Sequence, residues 1–285
     1  MMRLMADADT LRASPWDFGR GRAGYLWRAP NARANILLTH GFAEYAERYV
    51  NHYNGLIPRL TALGFDVHAW DMSGHGRSGG ERGVTDMREA VADHRAARRT
   101  LRDDDKPLFL FGHSLGGLVT AVSVAEDASD VTGVVLSAPA LLLAAPGHLR
   151  TIATLVSAFA PSARLVPPLD ADGLSRIPEE VRAYRNDPMV SDTRVPARTG
   201  VTAIAVSESG WRRYEGWRTP VLLLHGEQDR ATDPRGSKRF FEMIAASDKR
   251  LELYPDGMHE LLNDLERDAV LGVISSWLGE RAPRR

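Results

Sequence analysis

The sequence contains no cysteine, which removes disulfides, thiolate metal sites and a cysteine nucleophile at once. It is also poor in lysine: Lys106, Lys238 and Lys249 stand among 36 basic residues, an arginine bias that reads as genome composition rather than recognition. An excess of one charge is missing as well. The 36 basic residues meet 37 acidic ones for a formal charge of −1, so no net field gathers nucleic acid or anionic lipid. No apolar run approaches a membrane span, and Met1 to Thr10, broken by Arg3, Asp7 and Asp9, lacks a signal-peptide core. The expectation is a cytoplasmic protein acting on a neutral small molecule.

What is present is an ordinary globular composition, 44% hydrophobic and 26% charged over 285 residues, enough chain for one large core and an inserted subdomain. From about Gly24, short apolar or β-branched runs alternate with longer segments of helical periodicity, the pattern of βαβ units building a mainly parallel sheet. Strands are expected at Ala34 to Thr39, Phe65 to Trp70, Pro107 to Phe111, Gly133 to Ser137, Pro220 to Leu224 and Arg250 to Tyr254. Helices are expected at Tyr49 to Leu63, Met87 to Leu101, Leu115 to Glu126, Arg235 to Ala246 and Leu265 to Leu278.

The alternation breaks between Leu141 and Gly216, where prolines gather (Pro146, Pro161, Pro167, Pro168, Pro178, Pro188, Pro196) and no strong strand is visible. This divides the chain into a core of residues 1–140 and 216–285 around an inserted cap, residues 141–215. Within the cap, Leu149, Ile152, Ala153, Val156 and Phe159 form one helical stripe, expected to pack on the core, with transient membrane or micelle contact as the other use of such a face.

The run Leu108-Phe109-Leu110-Phe111 leads into Gly112-His113-Ser114-Leu115-Gly116, and an apolar helical segment follows. GxSxG at a strand-to-helix junction is the nucleophile elbow of the α/β-hydrolase fold: a mostly parallel central sheet flanked by helices, here with a small helical cap. A serine alone is a poor nucleophile at neutral pH, so a base and an acid must lie downstream, in the order Ser, Asp or Glu, His. Asp229 follows the strand Val221 to Leu224, and His259 follows Leu251 to Tyr254. His259 would take the Ser114 proton while Asp229 fixes its tautomer. Asp233 is the competing acid, but it precedes Pro234 at an expected helix start, where aspartate serves as a cap. His40, His75, His113 and His225 lie near strand ends and are read as loop supports. The oxyanion donors are expected to be the backbone N–H groups of Leu115 and of Phe42, in the loop His40-Gly41-Phe42-Ala43-Glu44.

Several segments together resemble the monoacylglycerol lipase and lysophospholipase group of α/β-hydrolases, bacterial monoacylglycerol lipases especially. They are His40 to Glu44 with Arg48-Tyr49, Asp71 to Gly80, Gly112 to Gly117, Leu136 to Pro139, Asn186 to Pro188, His225 to Asp229 and Tyr254 to Glu260. The resemblance implies hydrolysis of an acyl ester of glycerol by Ser114, Asp229 and His259, a cap over an acyl channel, and no metal or organic cofactor. Glu44 and Arg48 match positions near the glycerol moiety, and an acidic and a basic residue on one loop equally form a structural ion pair. Many members read HGxGE in the first loop, whereas Ala43 stands here in place of the second glycine. The alternatives are a carboxylesterase, lysophospholipase or thioesterase with the same triad, or a binding protein on a hydrolase scaffold.

Overall fold

A computed structural model describes residues 12–102, 105–143, 147–164, 168–190 and 194–283. Met1 to Thr10, the segment read for a leader, lies outside the described residues. Eight strands form one sheet: β1 (Ser14–Pro15), β2 (Gly24–Trp27), β3 (Ala34–Thr39), β4 (Phe65–Trp70), β5 (Leu108–His113), β6 (Val131–Ser137), β7 (Val221–Gly226) and β8 (Lys249–Tyr254), in the order β1-β2-β4-β3-β5-β6-β7-β8. The first two pair antiparallel and the other six run parallel, the architecture of an α/β-hydrolase.

The central strands are continuous apolar runs because both of their faces are covered. Along β5, Leu108 and Leu110 join one buried cluster, whereas Phe109 and Phe111 join the other. In β7, Val221 and Leu223 divide from Leu222 and Leu224 in the same way, as the two-residue period of a strand requires. Helices α3 (Met87–Thr100), α4 (Ser114–Glu126) and α8 (Pro234–Met243) supply one face; α2 (Leu56–Ala62) and α9 (Arg267–Arg281) supply the other.

The expected strands lie within two residues of their observed bounds. The expected Tyr49 to Leu63 helix, by contrast, is broken into α1 (Arg48–Asn51), a 3₁₀ turn at Tyr53–Gly55 and α2. The cause is a run of left-handed residues, Tyr53 (φ 54°), Asn54 (φ 55°) and Gly55 (φ 63°), which no α-helix tolerates. Strands β1 and β2 were not expected; both are too short to show periodicity.

Between β6 and β7 the described chain leaves the sheet for α5 (Gly147–Phe159), α6 (Pro178–Asn186) and α7 (Ala197–Trp211). The base of α7 is tied to the segment after β6, since Ser207 Oγ and Trp211 Nε1 each donate to the Leu141 carbonyl at 2.7 Å. Helix α5 packs on α7, but the stripe expected to face inward does so only through Ala153 and Val156, both half-buried. Ile152, Leu155 and Phe159 are instead 54%, 59% and 88% exposed. The Leu149 side chain lies outside the described residues. No described helix is long and apolar enough to cross a membrane.

The chain passes from β3 to β4 on one side, then crosses to β5 on the other. The carboxyl ends of β3 and β5 therefore flank the point where the winding reverses, where open α/β sheets leave a crevice.

Candidate active site

Ser114 stands at the carboxyl end of β5 as the first residue of α4, with φ 53°. A left-handed serine costs on the order of 1–2 kcal/mol and persists only where its surroundings fix it. Here the flanking glycines do so. A Cβ on Gly112 would lie 2.6 Å from Thr120 Oγ1 and 2.7 Å from the Gly116 carbonyl; one on Gly116 would lie 2.3 Å from the carbonyls of Thr39 and His40. No larger residue fits either position, so strand, helix and the loop after β3 close tightly around the serine.

His259 and Asp229 come from the loops after β8 and β7. His259 Nδ1 lies 2.7 Å from Asp229 Oδ2, and the imidazole shares the wall of a small cavity with Ser114. Asp229 is saturated. Oδ1 accepts from the backbone N–H groups of Ala231 (2.7 Å) and Thr232 (2.9 Å); Oδ2 accepts from the Thr232 hydroxyl (2.7 Å) and has His225 Nε2 at 3.2 Å. Burial alone would raise the pKa of this carboxyl, but His259 and the bond from His225 hold it well below the usual carboxylate range. Burial lowers the pKa of His259, and Asp229 more than reverses that, raising the imidazole above its ordinary value. The competing acid, Asp233, caps α8 by accepting from the Arg235 N–H at 2.9 Å.

Two of the support histidines have defined tasks. His113 donates through Nδ1 to the Ser137 carbonyl at 3.1 Å, and its ring lies 4.8 Å from that of His259. Burial, with His259 nearby, lowers its pKa to about 4, so it stays neutral beside the base. His225 is held through Nδ1 by Ser237 Oγ at 2.7 Å, leaving Nε2 to face Asp229.

The loop after β3 brings Phe42 to the wall of both cavities at Ser114, and the first turn of α4 brings Leu115 to one of them. Ala43, the residue in place of the family's second glycine, is left-handed at φ 65° and wholly buried. The backbone conformation a glycine would favour is thus kept, with a methyl small enough for the space. Glu44 ties the loop down: Oε1 accepts from the Gly41 N–H at 2.6 Å and from the Tyr49 hydroxyl at 2.8 Å.

Of the residues matched to the glycerol side, Glu44 borders the smaller cavity, whereas Arg48 sits behind it with no side-chain exposure. Arg48 Nη1 lies 3.3 Å from Glu44 Oε2 and 3.1 Å from Glu260 Oε1, and its guanidinium stacks on Tyr184 at 4.9 Å. Burial opposes both charges in the second pair, yet Arg48 holds Glu260 below its ordinary pKa and Glu260 raises that of Arg48. Reading the sequence did not single out Thr232, Tyr184 or Glu260 for the site. Glu260 alone had a local signal, its place next to His259.

Two cavities meet at Ser114. The larger, about 260 Å³, runs from Phe42, Ser114 and Leu115 past Leu143 and Leu169 to Ala203 and Ile204 of α7, and its wall is largely apolar. The smaller is bounded by Glu44, His113, Tyr184, His259 and Glu260 together with Phe42, Leu169 and Leu174, and among the described residues no lysine or arginine lines it.

The family model for serine aminopeptidases, S33, matches residues 30–266. The chain is 35% identical over 251 residues to a monoacylglycerol lipase of Mycolicibacterium smegmatis, covering 86% of this chain and 88% of that protein. To the monoglyceride lipase of Homo sapiens it is 31% identical over 258 residues, covering 87% and 83%. Among solved structures, the monoacylglycerol lipase of Paleococcus ferrophilus superposes with a TM-score of 0.81 at 33% identity, over 92% of this chain and 98% of that one.

Proposed function

The chain belongs to the serine aminopeptidase S33 family, on the α/β-hydrolase fold, and from that premise we propose that it hydrolyses monoacylglycerol to a free fatty acid and glycerol. The observation that carries this reading is the meeting of two unlike cavities at Ser114, one largely apolar and one where two carboxylates, a histidine pair and a tyrosine interrupt an apolar wall. An ester carbonyl placed at Ser114 would send its acyl chain into the first and its alcohol into the second.

In this mechanism Ser114 Oγ attacks the ester carbonyl while His259 Nε2 takes its proton, and the Phe42 and Leu115 N–H groups hold the oxyanion, each contributing about 3–4 kcal/mol. Collapse breaks the bond to glycerol, which leaves with the proton from His259. A water, deprotonated by the same imidazole, then releases the fatty acid and restores Ser114. Asp229 stays ionised throughout, holding the imidazole in the tautomer that can accept at Nε2. Glu44 contributes on this reading mainly by fixing the oxyanion loop, and Arg48 by balancing the two buried carboxylates.

The charge of the alcohol cavity favours glycerol over a phosphorylated head group. Glu44 and Glu260 outnumber the one guanidinium of Arg48 behind them, and a phosphate about 4 Å from the single uncompensated negative charge is repelled by roughly 4 kcal/mol at an effective dielectric of 20. With purified protein, kcat/KM for 1-monoacylglycerol is expected to exceed that for the matching 1-acylglycerol 3-phosphate by about 100-fold or more, and to exceed that for p-nitrophenyl butyrate. Turnover of simple esters with none of monoacylglycerol would withdraw the substrate assignment while keeping the esterase.

The insertion between β6 and β7 serves on this reading as the cap, with α5 as its contact with lipid. Ile152, Leu155 and Phe159, at i, i+3 and i+7, share one helical face on which three large apolar side chains are more than half exposed. Replacing all three with serine is expected to lower activity on monoacylglycerol vesicles about tenfold or more and to leave dissolved p-nitrophenyl butyrate unaffected. Equal loss on both substrates would make α5 a structural element only.

A further inference from the structure

We infer that Gly200, on the cap helix α7, sets how far an acyl chain can extend from Ser114, and thereby the chain-length preference; this rests on the reading of the larger cavity as the acyl site. Gly200 lines that cavity, and a Cβ built on it meets a single neighbour, Val195 Cγ1 at 3.7 Å. Its φ lies outside the left-handed region, so the backbone does not require glycine, and its N–H makes the ordinary helical bond to the Pro196 carbonyl at 2.9 Å. Crowding does not require it either.

This sets Gly200 apart from the other described glycines. Those at 112, 116, 117, 133, 210, 226 and 257 would each place a Cβ within 3.0 Å of a neighbour, so packing fixes them. Gly79, Gly147, Gly216 and Gly272 have open space, but all four are exposed at the surface. Gly200 combines open space with a position on the cavity wall.

In a helix, glycine is among the least favourable residues, and alanine at the same position would stabilise the fold. The folded structure gains nothing visible from the missing side chain except the space it leaves. That space opens on the cavity that Ser114 and Leu115 also line, on the α7 side of its wall with Thr199 and Ala203. A side chain at 200 would occupy volume that the distal methylenes of a long acyl chain need, while a short chain near the serine would not reach it.

Each acyl methylene kept out of the cavity lowers kcat/KM by about fourfold. Gly200→Leu, which displaces three or four methylenes, is expected to reduce kcat/KM for a palmitoyl ester by about 100-fold. The butyryl ester is expected to stay within about threefold of wild type. Gly200→Ala is expected to cost about fourfold on the palmitoyl ester alone and to raise Tm by about 1–3 °C.

The experiment measures kcat/KM for wild type and both variants over parallel series of p-nitrophenyl esters and 1-monoacylglycerols from butyryl to palmitoyl, with thermal unfolding of each protein. A loss on long chains only, in a folded variant, is the expected result. Equal loss at all chain lengths, or no change at any, overturns the inference. If Gly200→Leu fails to fold, Gly200→Ala decides on the same criterion. Hydrolysis of the p-nitrophenyl series without any monoacylglycerol turnover would remove the proposed substrate, while the p-nitrophenyl series would still read the effect of Gly200.

Discussion

Replacing Ser114 with alanine is expected to lower kcat for ester hydrolysis by about 10⁶, the scale seen when a triad serine is removed, and to abolish labelling by a fluorophosphonate probe. The loss is so large because no other group can deliver a nucleophile to the same point. The chain has no cysteine, and the left-handed backbone at Ser114, packed through Gly112 and Gly116 against Thr39, His40 and Thr120, holds this one Oγ where the two cavities meet. Residual activity should reflect only the oxyanion donors and substrate positioning, about 10³–10⁴ above water. Alanine keeps a Cβ at a position where φ is 53°, so the backbone strain is nearly unchanged and the variant should fold. Labelling of the alanine variant as strong as that of wild type would move the nucleophile to another residue and end the mechanism proposed above.

How much of this was legible in the sequence depends on how local the cause is. The parallel strands were readable because burial on both faces makes them uninterrupted apolar runs, Leu108 to Phe111 and Val221 to Leu224 most clearly. That Ser114, Asp229 and His259 would gather at one edge was readable because each follows a strand, and parallel strands bring their carboxyl ends to one edge. The break at Tyr53 to Gly55 was not, because two of its three left-handed residues are not glycine and are held there by the fold. Tyr53, for one, gives its N–H to Asn263 and packs its ring 4.0 Å from Tyr49. The pairing of Arg48 with Glu260, and its stacking on Tyr184, joins three distant segments and leaves no periodic trace in any of them. The stripe on α5 shows the opposite failure. Its periodicity was plain, but periodicity gives a face and not what covers it, and Ile152 and Phe159 face out.

The roles of Asp229 and Asp233 separate in a single pair of variants. In Asp229→Asn the new amide has only one favourable orientation. Its oxygen must take the place of Oδ1, which accepts from the N–H groups of Ala231 and Thr232, because an NH₂ there would face two donors. The NH₂ then occupies the place of Oδ2, 2.7 Å from His259 Nδ1, and donates to it. His259 is forced to carry its proton on Nε2, so it cannot accept from Ser114, and kcat is expected to fall by about 10⁴ with the geometry intact. The pH profile should change as well. Wild-type kcat/KM needs neutral His259 and falls as pH drops through an imidazole pKa that Asp229 raises. Without that carboxylate the raising influence is lost, so the acid limb of the residual activity moves to lower pH. Asp233→Asn should do neither: asparagine is as good an N-cap for α8 as aspartate, and kcat, its pH dependence and Tm are expected to stay near wild type. Comparable losses from the two substitutions, or an acid limb that does not move in Asp229→Asn, would show that Asp229 does not govern the state of His259.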